Sequence, residues 1–206
     1  MKLVPLVCEK CNGKMWGAGA LTGVACPACG AAYLLGKGGL ERVPAKYPAG
    51  PAPQGADVVY VPFWREVFEF KITKKESEHL LKKETEASRS EEYDMKIPAF
   101  ELRAEALQGL ALESVSWNQE LKEKPPPGAR FANISLSEKD ARKLAQFVAG
   151  CIEVKKEGVM QALTYEAAFQ KSELVFLPFR WKEGNPYGQL FDLEGRNETQ
   201  ASLSIP

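Results

Sequence analysis

The chain has a single histidine among 206 residues, and that scarcity narrows the chemistry open to it. His79 lies in the charged run "KKESEHLLKKETE", where a lone imidazole among solvated charges reads as a surface residue rather than a base or ligand. Net charge is also missing, because Lys+Arg and Asp+Glu both number 27. A dedicated nucleic-acid binder carries a basic excess, so neutrality argues mildly against one. No apolar run approaches the ~18 residues of a membrane-spanning helix. The opening "MKLVPLVC" is too short in apolar residues for the roughly 7–15-residue core of a secretory signal, so a cytoplasmic location is expected. There is no G-x-S-x-G elbow and no phosphate-binding glycine loop; "GKGG" at Gly36 reads as a hairpin turn. With no catalytic constellation visible, the chain is not expected to be an enzyme.

What is present is a cysteine pattern. Cys8 and Cys11 form one CxxC, and Cys26 and Cys29 form another after fourteen intervening residues. Two residues between thiolates let both sulfurs of a tight turn face one ion, and two such turns complete a tetrahedron. "CEKCNG" supplies Asn12 and Gly13 after the second thiolate and "CPACGA" supplies Gly30, residue types that tolerate positive φ. Short strand-like pieces follow each knuckle, which is the layout of a zinc ribbon over residues 1–43. A segment this small cannot build a sufficient apolar core, so the metal should supply much of its folding free energy. Structural Zn2+ is the expected ion, with a rubredoxin-like iron as the lesser alternative and a redox dithiol behind both. Cys151, in "AQFVAGCIEV", reads as a buried thiol acting as a small hydrophobe.

Residues 44–56 hold four prolines (Pro44, Pro48, Pro51 and Pro53) and read as a semi-rigid linker that cannot be a helix or central strand. Residues 57–206 are expected to form a second domain, making the whole an α+β protein with antiparallel strands and about two helices. "VVYVPFWREVFEFKIT" alternates as a strand, bent at Pro62, a proline that argues for a sheet edge. Residues 74–94 read as a solvated insertion. A helix is expected from about Glu101. Another runs from about Glu138 to Cys151, opened by a Ser137/Asp140 capping box and carrying the apolar stripe Leu144, Phe147, Val148 and Cys151. The remainder reads as a meander of four strands, "CIEVKKEG", "VMQALTYEAAFQ", "SELVFLPFRWKEG" and "YGQLFDLEG". An echo of extended chain, proline and phenylalanine recurs in "VVYVPFWRE", "DMKIPAFEL" and "ELVFLPFRW".

The four cysteines, followed by Tyr60, Pro62, Phe63 and Trp64 and by the late "LVFLPFRW", resemble bacterial zinc-ribbon proteins often compared with the ribbon of transcription factor IIB. In these a ribbon precedes a β-rich domain bearing a Tyr-x-Pro-Phe/Tyr-Trp signature. The resemblance implies a fold and a metal; the families are mostly of unknown function, and many members carry membrane spans that are absent here.

For function, the leading expectation is a non-enzymatic subunit or adaptor with protein partners. Trp64, Arg180 and Trp181 are its candidate partner-binding residues, since Trp and Arg are enriched at interface hot spots. The alternative is a nucleic-acid-associated ribbon. Residues 1–46 carry Lys2, Lys10, Lys14, Lys37, Arg42 and Lys46 against Glu9 and Glu41, a local excess of +4, with Trp16 and Tyr33 as candidate stacking residues. Elemental analysis of the purified protein should find one zinc per chain in a colourless solution; a red protein would carry iron.

Overall fold

The computed structural model describes residues 6–16, 21–51, 53, 55, 57–79, 82–86, 88–156, 159–184, 188–193 and 198–203. In the N-terminal module, strands β1 (Leu6–Val7) and β2 (Lys14–Met15) pair across the first CxxC turn. Strands β3 (Gly23–Ala25), β4 (Ala32–Gly36) and β5 (Gly39–Val43) form an antiparallel meander around the second.

The chain then enters the larger sheet at once. Strand β6 (Ala45–Pro48) lies within the stretch read from sequence as a linker, and it sits inside the sheet. The prolines mislead because they stand at its ends: Pro44 precedes it and Pro48 closes it. Ala45 and Lys46 meet one neighbour in parallel, while Tyr47 and Pro48 meet another in antiparallel. Tyr47 is buried and stacks on Phe176 with ring centroids 5.8 Å apart, which anchors the segment.

Strand β7 (Val58–His79) runs through the whole stretch expected to alternate and continues into the expected insertion, which turns back as β8 (Lys82–Glu86) and β9 (Arg89–Pro98). The side chain of His79 lies outside the described residues. A short β10 (Glu101–Leu102) precedes helix α1 (Ala104–Ser114), which starts three residues later than expected. After β11 (Leu121–Lys122) comes α2 (Glu138–Lys156). Its start is capped as expected: Asp140 N–H donates to Ser137 Oγ at 3.2 Å, and that hydroxyl donates to Asp140 Oδ2 at 2.7 Å. The helix takes in the "CIEVKK" expected as strand, and the next two expected strands are one, β12 (Val159–Lys182). Strands β13 (Gly188–Phe191) and β14 (Glu198–Ser202) complete the sheet in the order β10-β14-β13-β12-β6-β11, with β7 on the other flank of β12.

The fold is therefore α+β, strand-rich, with two helices among the described residues and several antiparallel pairings. No helix of the described residues is long and apolar enough to cross a membrane. The three proline echoes lie side by side: Pro62 pairs with Phe176, Tyr60 with Pro178, and Phe63 with Pro98. Pro62 is thus interior, not at an edge. A strand residue's N and C=O point the same way, and Pro62 C=O accepts from Ala99 N–H at 2.9 Å. Its missing donor therefore faces the end of the β7–β9 ladder and costs the β12 ladder nothing.

The pleat divides β7 between two cores. Tyr60, Trp64, Phe68, Phe70 and Ile72 face α2. Val59, Val61 and Phe63 pack with Phe179, Phe100, Leu110 and Trp117 on the opposite face. Of the expected stripe on α2, Val148 is buried, but Phe147 is 58% exposed and Leu144 and Cys151 are only half-buried; Ala141, Ala145 and Ala149 fill the buried face instead. Small side chains let the helix backbone sit close against an aromatic-rich sheet.

On that face Glu66 is fully buried. It accepts from Ser172 Oγ at 2.8 Å, and Arg142 Nε stands 3.7 Å from its other oxygen. Burial pushes its carboxyl up to about 7; the Ser172 bond and Arg142 pull against that, and Glu138 adds to it. The folded chain therefore holds this proton up to a higher pH than the unfolded chain, whose carboxyl titrates near 4.5. Stability from this group is full below about 4.5 and is lost as pH rises through about 7. Urea titrations should show Glu66→Gln gaining on the parent by on the order of 2 kcal/mol between pH 4.5 and 7.5; a constant difference across that range would refute the assignment.

Candidate metal centre

The two CxxC turns are the same local structure. In the first, Cys8 N–H donates to Gly13 C=O and Asn12 N–H to Cys8 C=O, at 2.9 and 2.8 Å. In the second, Cys26 N–H donates to Ala31 C=O and Gly30 N–H to Cys26 C=O, at 2.8 and 2.7 Å. Each turn needs a left-handed residue at the equivalent place, met by Asn12 (φ 56°) and Gly30 (φ 68°). A side chain at Gly30 would also run into Pro125, since a Cβ there would lie 2.6 Å from it.

These turns bring the ligand atoms of Cys8, Cys11, Cys26 and Cys29 to within 4.8 Å of one another. Cys8 Sγ to Cys29 Sγ and Cys11 Sγ to Cys26 Sγ are both 3.6 Å. A metal–sulfur bond of about 2.3 Å in a tetrahedron separates sulfurs by about 3.8 Å, close to the two 3.6 Å separations, so the set could hold one ion. A disulfide would need the sulfurs near 2 Å, and all four thiols are free. Cys8 and Cys26 are buried, Cys29 is half-buried and Cys11 is exposed.

Without a metal the thiols are driven apart in acidity. Burial opposes ionisation of Cys8, but the Tyr33 hydroxyl and the N–H groups of Cys11 and Lys10 outweigh it and bring the thiol down to about 6. At Cys26 burial dominates and pushes the thiol up to about 12. Four thiolates leave a tetrahedral ion no open position for a substrate.

The module is fastened to the sheet domain. Thr22 and Gly23 N–H both donate to Ile134 C=O, at 2.9 and 3.0 Å, and Ile134 N–H returns a 3.0 Å bond to Gly23 C=O. Tyr47 Oη donates to Gly30 C=O at 2.5 Å, directly behind the second knuckle. A cleft of about 450 Å³ opens between the two parts, lined by Lys10, Cys29, Arg42, Tyr47 and Glu123 among others.

The candidate partner residues are placed differently. Trp64 is buried, with its indole N–H donating to Leu136 C=O at 2.9 Å, so it belongs to the core and does not reach the surface. Arg180 is exposed and ion-paired with Asp57 at 2.9 Å. Trp181 is half-buried, its ring seated over Gly188, where a Cβ would fall 2.2 Å from it. Of the two expected stacking residues, Tyr33 is fully buried and Trp16 is 52% exposed. Lys10, Lys14, Lys37 and Arg42 are all exposed. Tyr33 and Tyr47 are the site residues that sequence reasoning missed in these roles; the only signal was Tyr33 four residues after the second thiolate pair, and nothing in the sequence pointed to Tyr47.

Comparison with protein-family models, curated proteins and solved structures returns no match. The resemblance to bacterial zinc-ribbon proteins accordingly rests on the motif residues alone.

Cys26→Ser should abolish stoichiometric metal binding. Hydrogen exchange should then find the amides of Val24 and Tyr33 opening freely while those of Phe68 and Phe176 stay protected. Retained protection across the module would mean that its packing, not a metal, holds it.

Proposed function

We propose that the N-terminal module is a zinc ribbon with a structural Zn2+ held by Cys8, Cys11, Cys26 and Cys29, and that the protein is a non-enzymatic cytoplasmic subunit or adaptor within a larger protein assembly. The observation that carries this reading is what the module presents. Val7, Trp16 and Leu35 are 53, 52 and 47% exposed on a segment whose own core consists of little more than Met15, Val24, Tyr33 and the thiols. A small domain with so little to bury would gain by covering these residues itself; leaving them out fits a surface meant for another protein. The hydrogen bonds at Ile134 and Tyr47 tie the module to the sheet domain, and a module held in place would lose less entropy on docking. Arg180 and Trp181 are the sheet domain's contribution to the proposed partner surface; Trp64 is withdrawn from it.

A second reading, a nucleic-acid-associated ribbon, draws on the exposed Lys10, Lys14, Lys37 and Arg42 beside Trp16. The two diverge in salt dependence and in which substitutions matter. Tagged protein should be recovered from its host with and without nuclease. The adaptor reading expects a stoichiometric protein partner that survives nuclease and moderate salt and is lost, at least tenfold, on Trp16→Ala with Leu35→Ala. Nuclease-sensitive recovery that fails on neutralising Lys10, Lys14 and Lys37 would establish the second reading instead. Recovery of neither would defeat both.

A further inference from the structure

The two knuckles are built alike, yet their leading thiols are not served alike. Cys8 and Cys26 are each fully buried, and each faces backbone N–H groups two and three residues on: Lys10 and Cys11 for Cys8, Ala28 and Cys29 for Cys26. Cys8 has a further partner. The hydroxyl of Tyr33 lies 3.2 Å from its sulfur, and both groups are inaccessible to water.

The direction of that bond is set by the state of the sulfur. A cysteine that holds a metal does so as a thiolate and has no proton to give. The phenol has one, and Cys8 Sγ lies within its reach. Strand β4 fixes the ring: Tyr33 pairs with Val24 on one side and Arg42 on the other, at the centre of the three-stranded meander.

We propose that Tyr33 is a positioning residue of the metal centre, donating its hydroxyl proton in a hydrogen bond to the Cys8 thiolate. This rests on the zinc-ribbon reading above. A divalent ion with four thiolates carries two net negative charges, and around Cys8 the module buries that charge among Met15, Val24 and Tyr33. A buried anion is tolerated only when donors spread its charge, and outer hydrogen bonds to metal ligands are worth about 10–100-fold in metal affinity. The Tyr33 bond also lowers the energy of the Cys8 sulfur lone pairs.

The test uses the full chain and Co2+, whose tetrathiolate complexes show ligand-field bands for geometry and a sulfur-to-cobalt charge-transfer band for sulfur electron density. Tyr33→Phe keeps the ring and removes the proton. It should leave the ligand-field bands in place, shift the charge-transfer band to lower energy and weaken Co2+ binding about tenfold. Val24→Ala loosens the same core without touching the bond, so it should weaken binding with no shift of that band. Because the band reports only the loaded molecules, partial unfolding of either variant leaves the readout intact. An unshifted band in Tyr33→Phe overturns the proposal whether or not affinity falls, since a fall alone would assign Tyr33 to packing. Failure of the parent chain to give a tetrathiolate spectrum would instead sink the metal reading itself.

Discussion

Everything in the larger part of the molecule is referred to one interaction, the antiparallel pairing of β7 with β12. It runs from Val58 opposite Arg180 to Glu78 opposite Val159. On its flanks hang β9 and β8 from β7, and β13 and β6 from β12, with β14, β10 and β11 beyond those two. The two faces of this ribbon of backbone define the two cores, and α2 has a position only because Phe68, Phe70 and Ile72 line up on one of them. The cysteine module takes its place from the same pair, since β6 binds Leu174 and Val175 and carries Tyr47 to the back of the second knuckle.

The two knuckles were legible because the contacts that shape them are local. Each knuckle is closed by hydrogen bonds spanning four or five residues, and its positive-φ positions are written as Asn12 and Gly30. The capping box at Ser137 was legible for the same reason. The limits appear where distant chain decides. The alternation in β12 breaks at Gln170, which is bulged between Phe169 opposite Phe68 and Lys171 opposite Val67. A bulge reverses which residues face the core, so Phe169 and Ala167 join the side occupied by Leu174 and Phe176. Read as a pattern, that reversal looks like the end of one strand and the start of another. Pro62 and the prolines around β6 misled similarly, because a proline excludes a strand only if its absent donor points at a neighbour.

Side-chain roles depended even more on context. Trp64, with Arg65 beside it, looked like an interface anchor, but its indole N–H finds a carbonyl inside the fold at Leu136. Tyr33 looked like a surface for stacking, but the meander turns it inward toward Cys8. Phe147 outranks alanine on any hydrophobic scale, yet α2 buries its alanines and leaves Phe147 out. In each case the residue type announced a polar or apolar capacity, and the sheet decided where it was spent.

The central pairing also implies an order of assembly. Val61 meets Leu177 across more than a hundred residues, whereas β7 meets β9 across far fewer and the knuckles close within six. Closing a long loop costs more chain entropy than closing a short one, and rates of folding fall as contacts become more distant in sequence. The cysteine module and the β7–β9 hairpin can therefore form while the polypeptide is still being synthesised. Until residues 159–182 emerge, however, β7 presents one flank with no strand beside it, rich in Val, Phe and Tyr. An unpaired apolar edge of this kind is open to aggregation until its partner strand arrives.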